Sequence, residues 1–535
     1  MIFLRRIKNF FTIVLCLTLL LVVRFGYIQI AKSDVYSRLS VNQRARSVYL
    51  GDYRGTIYDR NMIPLTERDS SHLAVIFPDM VRDKSKAAYD LSRVTDYDIA
   101  SLKNMLGGTA FVLPAKQADE SLEEDGIYLA TIPSRYSDES IASHLIGYLN
   151  PSIHKGVYGI ERAYDNVLNS GGQIEYVLFS GGNLKAIKGL GAQYAVVGVK
   201  RKAYGVKTTI DYHIQKIVEE AMDKYHIDGA AVVVDVKSGQ ILAMASRPNF
   251  SPLSITGYLR NGNGALINKA IAAYPLGSVF KTVVAAAAIE DHAVKEGEIF
   301  YCTGSVKVNG VSYPCYKSKT HGPVDMATAF AVSCNTTFIK IGQKVGGKSI
   351  IEMAKKFGFG RKEVGFAEES SGRIPGYKDV AGAGIGNLSI GQGVLAVTPL
   401  QVADMMATIA DDGVRHIPTV LQGLVDEQGN WVRREGESKS YRVVSVSTAK
   451  ELQRMLRGVV TEGTGKNAEI PQGSAGKTGT AETGIDGVSH GWFAGYVPYN
   501  EPRYSIVVLA EKGGEGGAKA APVFKEIAEN ILKIR

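Results

Sequence analysis

At 535 residues the chain is longer than a single hydrophobic core usually serves, which favours more than one domain. Apolar residues at 45% and charged residues at 21% describe an ordinary globular composition rather than a disordered or fibrous one. The net charge of +9 is spread along the chain without a long basic run. It suits an anionic surface or polymer, such as lipid headgroups or wall polymers. No helix-turn-helix, finger or RNP-type pattern supports nucleic acid as the partner.

Arg5, Arg6 and Lys8 precede the apolar run Phe10 to Val23, and Arg24 interrupts before Phe25-Gly26-Tyr27-Ile28-Gln29-Ile30. Counted to Ile30, the stretch supplies the ~20 residues that a spanning helix needs. Arg24 can snorkel to the far interface beside Tyr27. A cleaved signal peptide is the alternative, and no small-x-small site follows the apolar run to support it. Cys16 lies within the run after Val14-Leu15, without the small residues of a lipoprotein site. Basic residues at the start place the N-terminus inside, with the rest of the chain outside the cytoplasm. Residues 1–31 are therefore read as a cytoplasmic tip and transmembrane anchor.

Ser33 to about Val48 is polar with scattered apolar positions and is expected to be a helix leaving the bilayer. Within Tyr53-Arg54-Gly55-Thr56-Ile57-Tyr58-Asp59-Arg60-Asn61, alternation predicts a short strand and then a turn at Asp59 to Asn61. His72 to Phe77 reads as another strand in an otherwise motif-poor stretch. Gly156-Val157-Tyr158-Gly159-Ile160-Glu161 leads into a helix. Gly171-Gly172 and Gly181-Gly182 mark turns in a strand-rich segment running to Lys207, which closes a second division at 32–207.

Composition shifts at Thr208. Asp211 caps a helix through Gln215, Val218 and Met222. Gly229 to Val236 and Gln240 to Ala245 form a hairpin around Lys237-Ser238-Gly239. Helices dominate from Ser278 to about Gly413. Strands return at Gly476 to Thr480, Gly491 to Tyr496 and Tyr504 to Ala510. Gly513-Gly514-Glu515-Gly516-Gly517 reads as a mobile loop, and a final amphipathic helix runs from about Pro522 to Leu532. The order predicts an α+β domain over 208–535, an antiparallel sheet flanked by helices.

Three short elements carry chemistry. Pro275 and Gly277 break the chain before the helix-prone Thr282-Val283-Val284-Ala285-Ala286-Ala287-Ala288, so a helix should begin near Ser278. Lys281 is three residues on, on the same face and within hydrogen-bond reach of Ser278. A hydroxyl beside an amine at a helix start has the parts of an acyl-transfer nucleophile. Ser333-Cys334-Asn335 follows a helical Met326 to Val332, and Lys477-Thr478-Gly479-Thr480 opens a strand. S-x-x-K, S-x-N and K-T-G in this order are the set shared by penicillin-binding proteins and serine β-lactamases.

The chain resembles a class B penicillin-binding protein, a monofunctional peptidoglycan D,D-transpeptidase anchored in the membrane. Arg54-Gly55-Thr56-Ile57-Tyr58-Asp59-Arg60-Asn61 is similar to the family's membrane-proximal motif, which usually continues with Gly where this chain has Met62. Gly156-x-x-Gly159-Ile160-Glu161 is similar to the second motif of the non-catalytic pedestal, here 32–207. Gly391-Gln392-Gly393 with Thr398-Pro399-Leu400-Gln401 resembles the stretch between the second and third active-site motifs, and His490-Gly491-Trp492-Phe493 the strand following K-T-G. The resemblance implies a penicillin-binding transpeptidase, serine β-lactamase-like fold for 208–535.

It also implies roles. Ser278 would attack a D-Ala–D-Ala stem peptide to give an acyl-enzyme that a second stem peptide's amine resolves, and β-lactams would block it covalently. Lys281 is the general base, its pKa lowered by burial and by the nearby Lys477. Ser333 passes the proton to the leaving amine. Asn335 orients the substrate backbone. Lys477 and Thr478 hold the terminal carboxylate. Gly479 leaves room for an extended peptide. The backbone N–H groups of Ser278 and Thr480 form the oxyanion hole. His490, Trp492 and Glu482 are read as packing or strand-end residues, and Glu368 and Glu369 do not fit a deacylation loop. A membrane-embedded glycan polymerase is the implied partner.

Two alternatives stay open: a β-lactam-hydrolysing or D,D-carboxypeptidase enzyme, and a catalytically idle β-lactam sensor or assembly scaffold. Cofactors are not required for the chemistry. An extracellular location makes a Cys302–Cys315 disulfide the default. A structural zinc on Cys302, Cys315, His321 and Cys334 is the alternative, since three thiols and an imidazole complete a tetrahedral set. A role in division, elongation or sporulation is not written in the sequence.

Overall fold

The computed structural model describes residues 2–33, 45–116, 126–150, 152–180, 192–262, 264–436 and 438–534. Near the N-terminus, Ile2–Ala31 is a 30-residue helix, long and apolar enough to cross a membrane. The expected helix of Ser33 to Val48 lies partly outside the described residues. Its end from Ala45 belongs to the strand Ala45–Arg54, whose inward positions Val48 and Leu50 are buried.

The chain divides into two compact units. The first comprises Met1–Tyr53, Asp69–Ser134 and Gly171–Lys202. It holds two three-stranded sheets. One orders Ala45–Arg54, Asn169–Phe179 and Ala192–Val197; the other places Asp69–Ile76 between Phe111–Pro114 and Ile127–Ser134. The strand expected at His72 is the centre of that second sheet, with Ala74 and Ile76 in one apolar cluster with Leu91 and Leu102 of two short helices. Gly171-Gly172 is not a turn: both lie inside the strand Asn169–Phe179, where Gly171 takes φ +72°. Gly181-Gly182 lies outside the described residues.

The second unit gathers Arg54–Arg68 and Arg135–Ser170 with Ala203–Arg535, so two pieces of the 32–207 segment belong to the larger body. Ile57–Tyr58 pairs in parallel with Val206–Lys207, and Leu145 and Ile160 share the apolar core that holds Val206 and Ile210, while an ion cluster ties the two pieces to each other. Glu161 is completely buried and accepts from Arg54 Nε at 2.9 Å, from Arg135 Nε at 2.7 Å and from Tyr136 OH at 3.2 Å. Arg54 also reaches Asp165 at 2.7 Å, and Arg135 reaches Glu67 at 2.9 Å. The two N-terminal motifs, over a hundred residues apart in sequence, thus meet in one ion cluster. Burial alone would raise the Glu161 carboxyl, but the two guanidiniums outweigh it and hold the acid below its usual range. The turn predicted after Tyr58 forms through Asp59 Oδ1, which accepts from Asn61 N and Ile63 N at 2.7 Å each. Met62 sits there at φ +68°, a conformation that glycine adopts freely and a side chain does not.

The core of this unit is a five-stranded sheet in the order Ile241–Arg247, Gly229–Asp235, Tyr504–Ala510, Ser489–Val497, Ala475–Glu482. Every neighbouring pair is antiparallel, as the α+β reading expected. Tyr212–Lys224, capped by Asp211, and Gly516–Ile531 pack on one face through Val218, Phe524 and Ile527. The last helix starts six residues before Pro522, so Gly516 and Gly517 form its first turn instead of loop. The other face carries Lys281–Glu290, Pro399–Ala410 and Val446–Thr461. Lys281–Ala288 is buried at every position, which explains the run of alanines: small side chains let neighbours close in from all sides. Within the predicted helical block, residues 300–324 instead form two pairs of short strands.

Replacing Glu161 by Gln removes the one carboxylate that Arg54 and Arg135 share and leaves them only the more exposed Asp165 and Glu67. We expect a loss of about 3–5 kcal/mol, read as a clear fall in Tm of the detergent-solubilised chain; an unchanged Tm would refute the cluster's role.

Candidate active site

Ser278 lies in a single tight turn, Gly277–Phe280, that runs directly into the helix Lys281–Glu290. The helix was expected to begin at Ser278; it begins one turn later because the chain enters through Gly277 at φ +59°. A Cβ on Gly277 would lie 2.6 Å from the Thr480 carbonyl oxygen, so the turn presses against the Ala475–Glu482 strand. Gly277 N donates to Gly391 O at 2.9 Å, and a Cβ on Gly391 would overlap the Gly277 carbonyl. Trp492 Nε1 donates to Pro275 O at 2.9 Å. The Gly391 and Trp492 stretches therefore act on the site by bracing the Ser278 turn, and His490, packed edge-on against Tyr274, braces the segment before it.

Lys281 is completely buried, and its Nζ bonds Ser333 O at 2.7 Å, Asn335 Oδ1 at 2.7 Å and Ser333 Oγ at 3.1 Å. The expected hydrogen bond between Ser278 and Lys281 is not made: the amine's protons are taken by the second motif. Burial pushes Lys281 from 10.5 down to about 7, with the Cys334 and Cys315 sulfurs pulling weakly the other way. Lys477 does not add to this as expected. The repulsion falls on Lys477 itself, which burial first and Lys281 second hold well below the usual lysine range. Lys477 Nζ donates to Thr478 O at 3.2 Å and lies 5.5 Å from the centre of the Phe330 ring.

Ser333 follows the helix Met326–Ala331 in a left-handed conformation, φ +57°, and the helix Asn335–Val345 begins two residues on. A non-glycine residue held there is a local strain of the kind found at functional sites. Asn335 Nδ2 donates to Pro314 O at 3.1 Å, leaving its second amide hydrogen for a ligand.

Ala475–Glu482 is the outermost strand of the five-stranded sheet, with Lys477 opposite Ala494, Thr478 opposite Phe493, Gly479 opposite Trp492 and Thr480 opposite Gly491. Its outer edge can take an added extended peptide. Gly479 has a different reason from the one expected. A Cβ there would stand 2.9 Å from Leu276 O and 3.0 Å from Val279 Cγ2, so the missing side chain admits the Ser278 turn, not a substrate. Thr478 Oγ1 bonds Thr464 Oγ1 at 2.6 Å, a partner the sequence did not reveal. Ser278 and Thr480, the two expected oxyanion donors, are thereby brought to adjoining backbone.

The three extracatalytic cysteines converge beside Ser333. Cys302 Sγ lies 3.7 Å from Cys315 Sγ and 3.4 Å from His321 Nδ1, and Cys315 Sγ lies 3.7 Å from Cys334 Sγ. All four donor atoms fall within 4.8 Å of one another. The expected Cys302–Cys315 disulfide is absent and the thiols are free. Tetrahedral zinc with Zn–S of about 2.3 Å sets its sulfurs ~3.8 Å apart, so the residues fit that ion. A hairpin, Ser305–Val308 with Val311–Pro314, brings Cys302 and Cys315 together, and Phe300–Cys302 pairs with Gly322–Val324 to bring His321 in. The Cys334 thiol is held low by hydrogen bonds from Cys315, Thr336 and Thr337, whereas Cys315 is pushed up by the same pairing.

Residues 229–529 match the family model described as the penicillin-binding protein transpeptidase domain. Penicillin-binding protein PbpB of Mycobacterium tuberculosis is 30% identical over 90% of this chain and 78% of its own length. Stage V sporulation protein D of Bacillus subtilis is 28% identical over 95% of this chain and 82% of its own. A crystal structure of penicillin-binding protein 3 from Mycobacterium tuberculosis complexed with aztreonam superposes with a TM-score of 0.65 at 27% identity, covering 91% of this chain and 97% of that one. Three active-site elements, the surrounding sheet and the matched span agree, and the chain belongs to the penicillin-binding protein transpeptidase family.

Proposed function

We propose that this protein is a peptidoglycan D,D-transpeptidase that works through an acyl-enzyme on Ser278 and is blocked there by β-lactams. The observation that carries the reading is the completely buried Lys281 amine, held by Ser333 and Asn335 and pushed down to about 7. A neutral amine can take the proton of a serine hydroxyl as it attacks the D-Ala–D-Ala carbonyl. The N–H groups of Ser278 and Thr480 receive the developing oxyanion; losing one such donor costs about 3–4 kcal/mol of barrier. Ser333 Oγ, at 3.1 Å from Lys281, relays the proton to the leaving D-Ala amine. The stem peptide lies along the open edge of the Ala475–Glu482 strand, its carboxylate toward Lys477 and Thr478, its backbone toward Asn335. A second stem peptide's amine then attacks the ester and forms the cross-link.

The helix Ile2–Ala31 is read as a single membrane anchor with a cytoplasmic N-terminus, which puts the catalytic unit on the wall side. A membrane-embedded glycan polymerase is the natural partner, supplying the strands. We further propose that Cys302, Cys315, His321 and Cys334 hold a structural zinc, which when bound ties the 300–324 hairpins to the Ser333 turn.

Fluorescent penicillin should label the wild-type chain stably and Ser278→Ala not at all; labelling that survives the substitution would refute the nucleophile. Rapid loss of label would instead indicate a β-lactamase. Because the lysine must be neutral to act, the acylation rate should climb about tenfold per pH unit below pH 7 and level off above it. A flat profile between pH 5 and 9 would remove Lys281 as base. Metal analysis of reduced protein should find one zinc per chain, lost on chelation with a fall in Tm. Metal-free protein with four alkylatable cysteines, or with a Cys302–Cys315 disulfide, would overturn the zinc assignment.

A further inference from the structure

Two surfaces of the cleft are joined by a contact that the mechanism does not use. On the side of the second motif, the turn Tyr316–Ser318 follows Cys315, and the Pro314 carbonyl is bonded to Asn335. On the side of the third motif, Gly516 packs on the Gly479 and Trp492 carbonyls, and Gly517 stands against Thr464 and Thr478. Glu515 immediately precedes them. Tyr316 OH donates to Glu515 Oε1 at 2.8 Å, and Lys317 Nζ donates to the same oxygen at 2.9 Å. The bridge therefore runs from the wall carrying Ser333 and Asn335 to the wall carrying Lys477 and Thr478.

Its construction is specific on both sides. Lys317 and Ser318 are consecutive non-glycine residues at φ +53° each, an unusual turn whose tip is Tyr316-Lys317. Glu515 occupies the N-cap of the last helix, yet its carboxylate makes no cap hydrogen bond to that helix; it is committed across the gap instead. Glycines flank it on both sides, Gly513-Gly514 and Gly516-Gly517, with Gly514 at φ +78°. The pair is solvent-accessible, with side chains 70% exposed at Lys317 and 49% at Glu515, so it is held weakly and screened by salt.

We propose that Glu515, Tyr316 and Lys317 form a latch across the mouth of the Ser278 cleft, which an incoming peptide or β-lactam parts to reach the open edge of the third-motif strand. The inference rests on the transpeptidase reading of that cleft. A peptide added to the Ala475–Glu482 edge enters between the same two walls, so bound substrate and closed latch compete. The admitted ligand trades its own contacts for the Glu515 bridge, and the contact acts as a specificity filter for ligands that bind both walls.

The test follows acylation of the full chain in detergent by fluorescent penicillin, at 50 and 500 mM NaCl. Glu515→Gln and Lys317→Met should each raise the second-order acylation rate about two- to five-fold, as expected for removal of a weak exposed pair. Wild type should speed up with salt and Glu515→Gln should not. The double variant should be no faster than Glu515→Gln alone, because that change already removes the charge that Lys317 pairs with. Rates equal to or below wild type in both single variants with unchanged Tm, undiminished salt dependence, or additive effects in the double variant would overturn the latch. Tyr316→Phe with Lys317→Met, confined to the other wall, keeps the test open should Glu515→Gln fold poorly. Absence of Ser278 labelling in wild type would count against the catalytic reading, whereas normal wild-type labelling with unaltered variants counts against the latch alone.

Discussion

The active site depends on one buried amine. Lys281 is removed from water by a helix with no exposed face, and its bonds to Ser333 and Asn335 are what hold the second motif on the first. Holding an amine at about 7 that titrates near 10.5 in water corresponds to roughly 5 kcal/mol of disfavoured charge. Because the folded chain binds this proton less tightly than the unfolded chain, the cost is full below pH 7 and fades as pH rises toward 10.5. The fold tolerates that cost at the position where a neutral amine has a chemical use.

Around this amine the chain places backbone against backbone. Gly277 touches Thr480, Gly391 touches Gly277, and Gly479 leaves room for Leu276 and Val279. A Cβ on Gly277 or Gly479 would push the Ser278 turn off the third-motif strand, and one on Gly391 would displace the turn from its other side. Trp492, from the neighbouring strand, fixes Pro275 from below. The serine is therefore positioned by close approach of main chain, not by a hydrogen bond from the lysine beside it. The cysteine cluster extends the same logic to the second motif, since Cys334 is flanked by the two residues that Lys281 binds.

Much of this was legible in the sequence, for local reasons. The Val-Val-Ala run, the Asp211 cap and the three apolar strands each announce their own structure, and the order of the three short motifs announces the site. What was not legible depends on distance. Nothing near Glu161 says that its partners are Arg54 and Arg135, and nothing near Gly479 says that its neighbour is Leu276. Lysine at i+3 from a serine suggested a bond between them, but burial next to Ser333 and Asn335 offered the amine better acceptors. The short strands of 300–324 were hidden because three- and four-residue strands carry too little periodicity to be seen.

The central claim is that burial holds Lys281 near 7, so that about half of the amine is neutral at pH 7. NMR titration of 13Cε-lysine-labelled protein, with Lys281→Arg to assign the resonance, measures it directly. The structure predicts that the Lys281 resonance titrates near 7. A Lys281 signal that stays charged through pH 10 would contradict it.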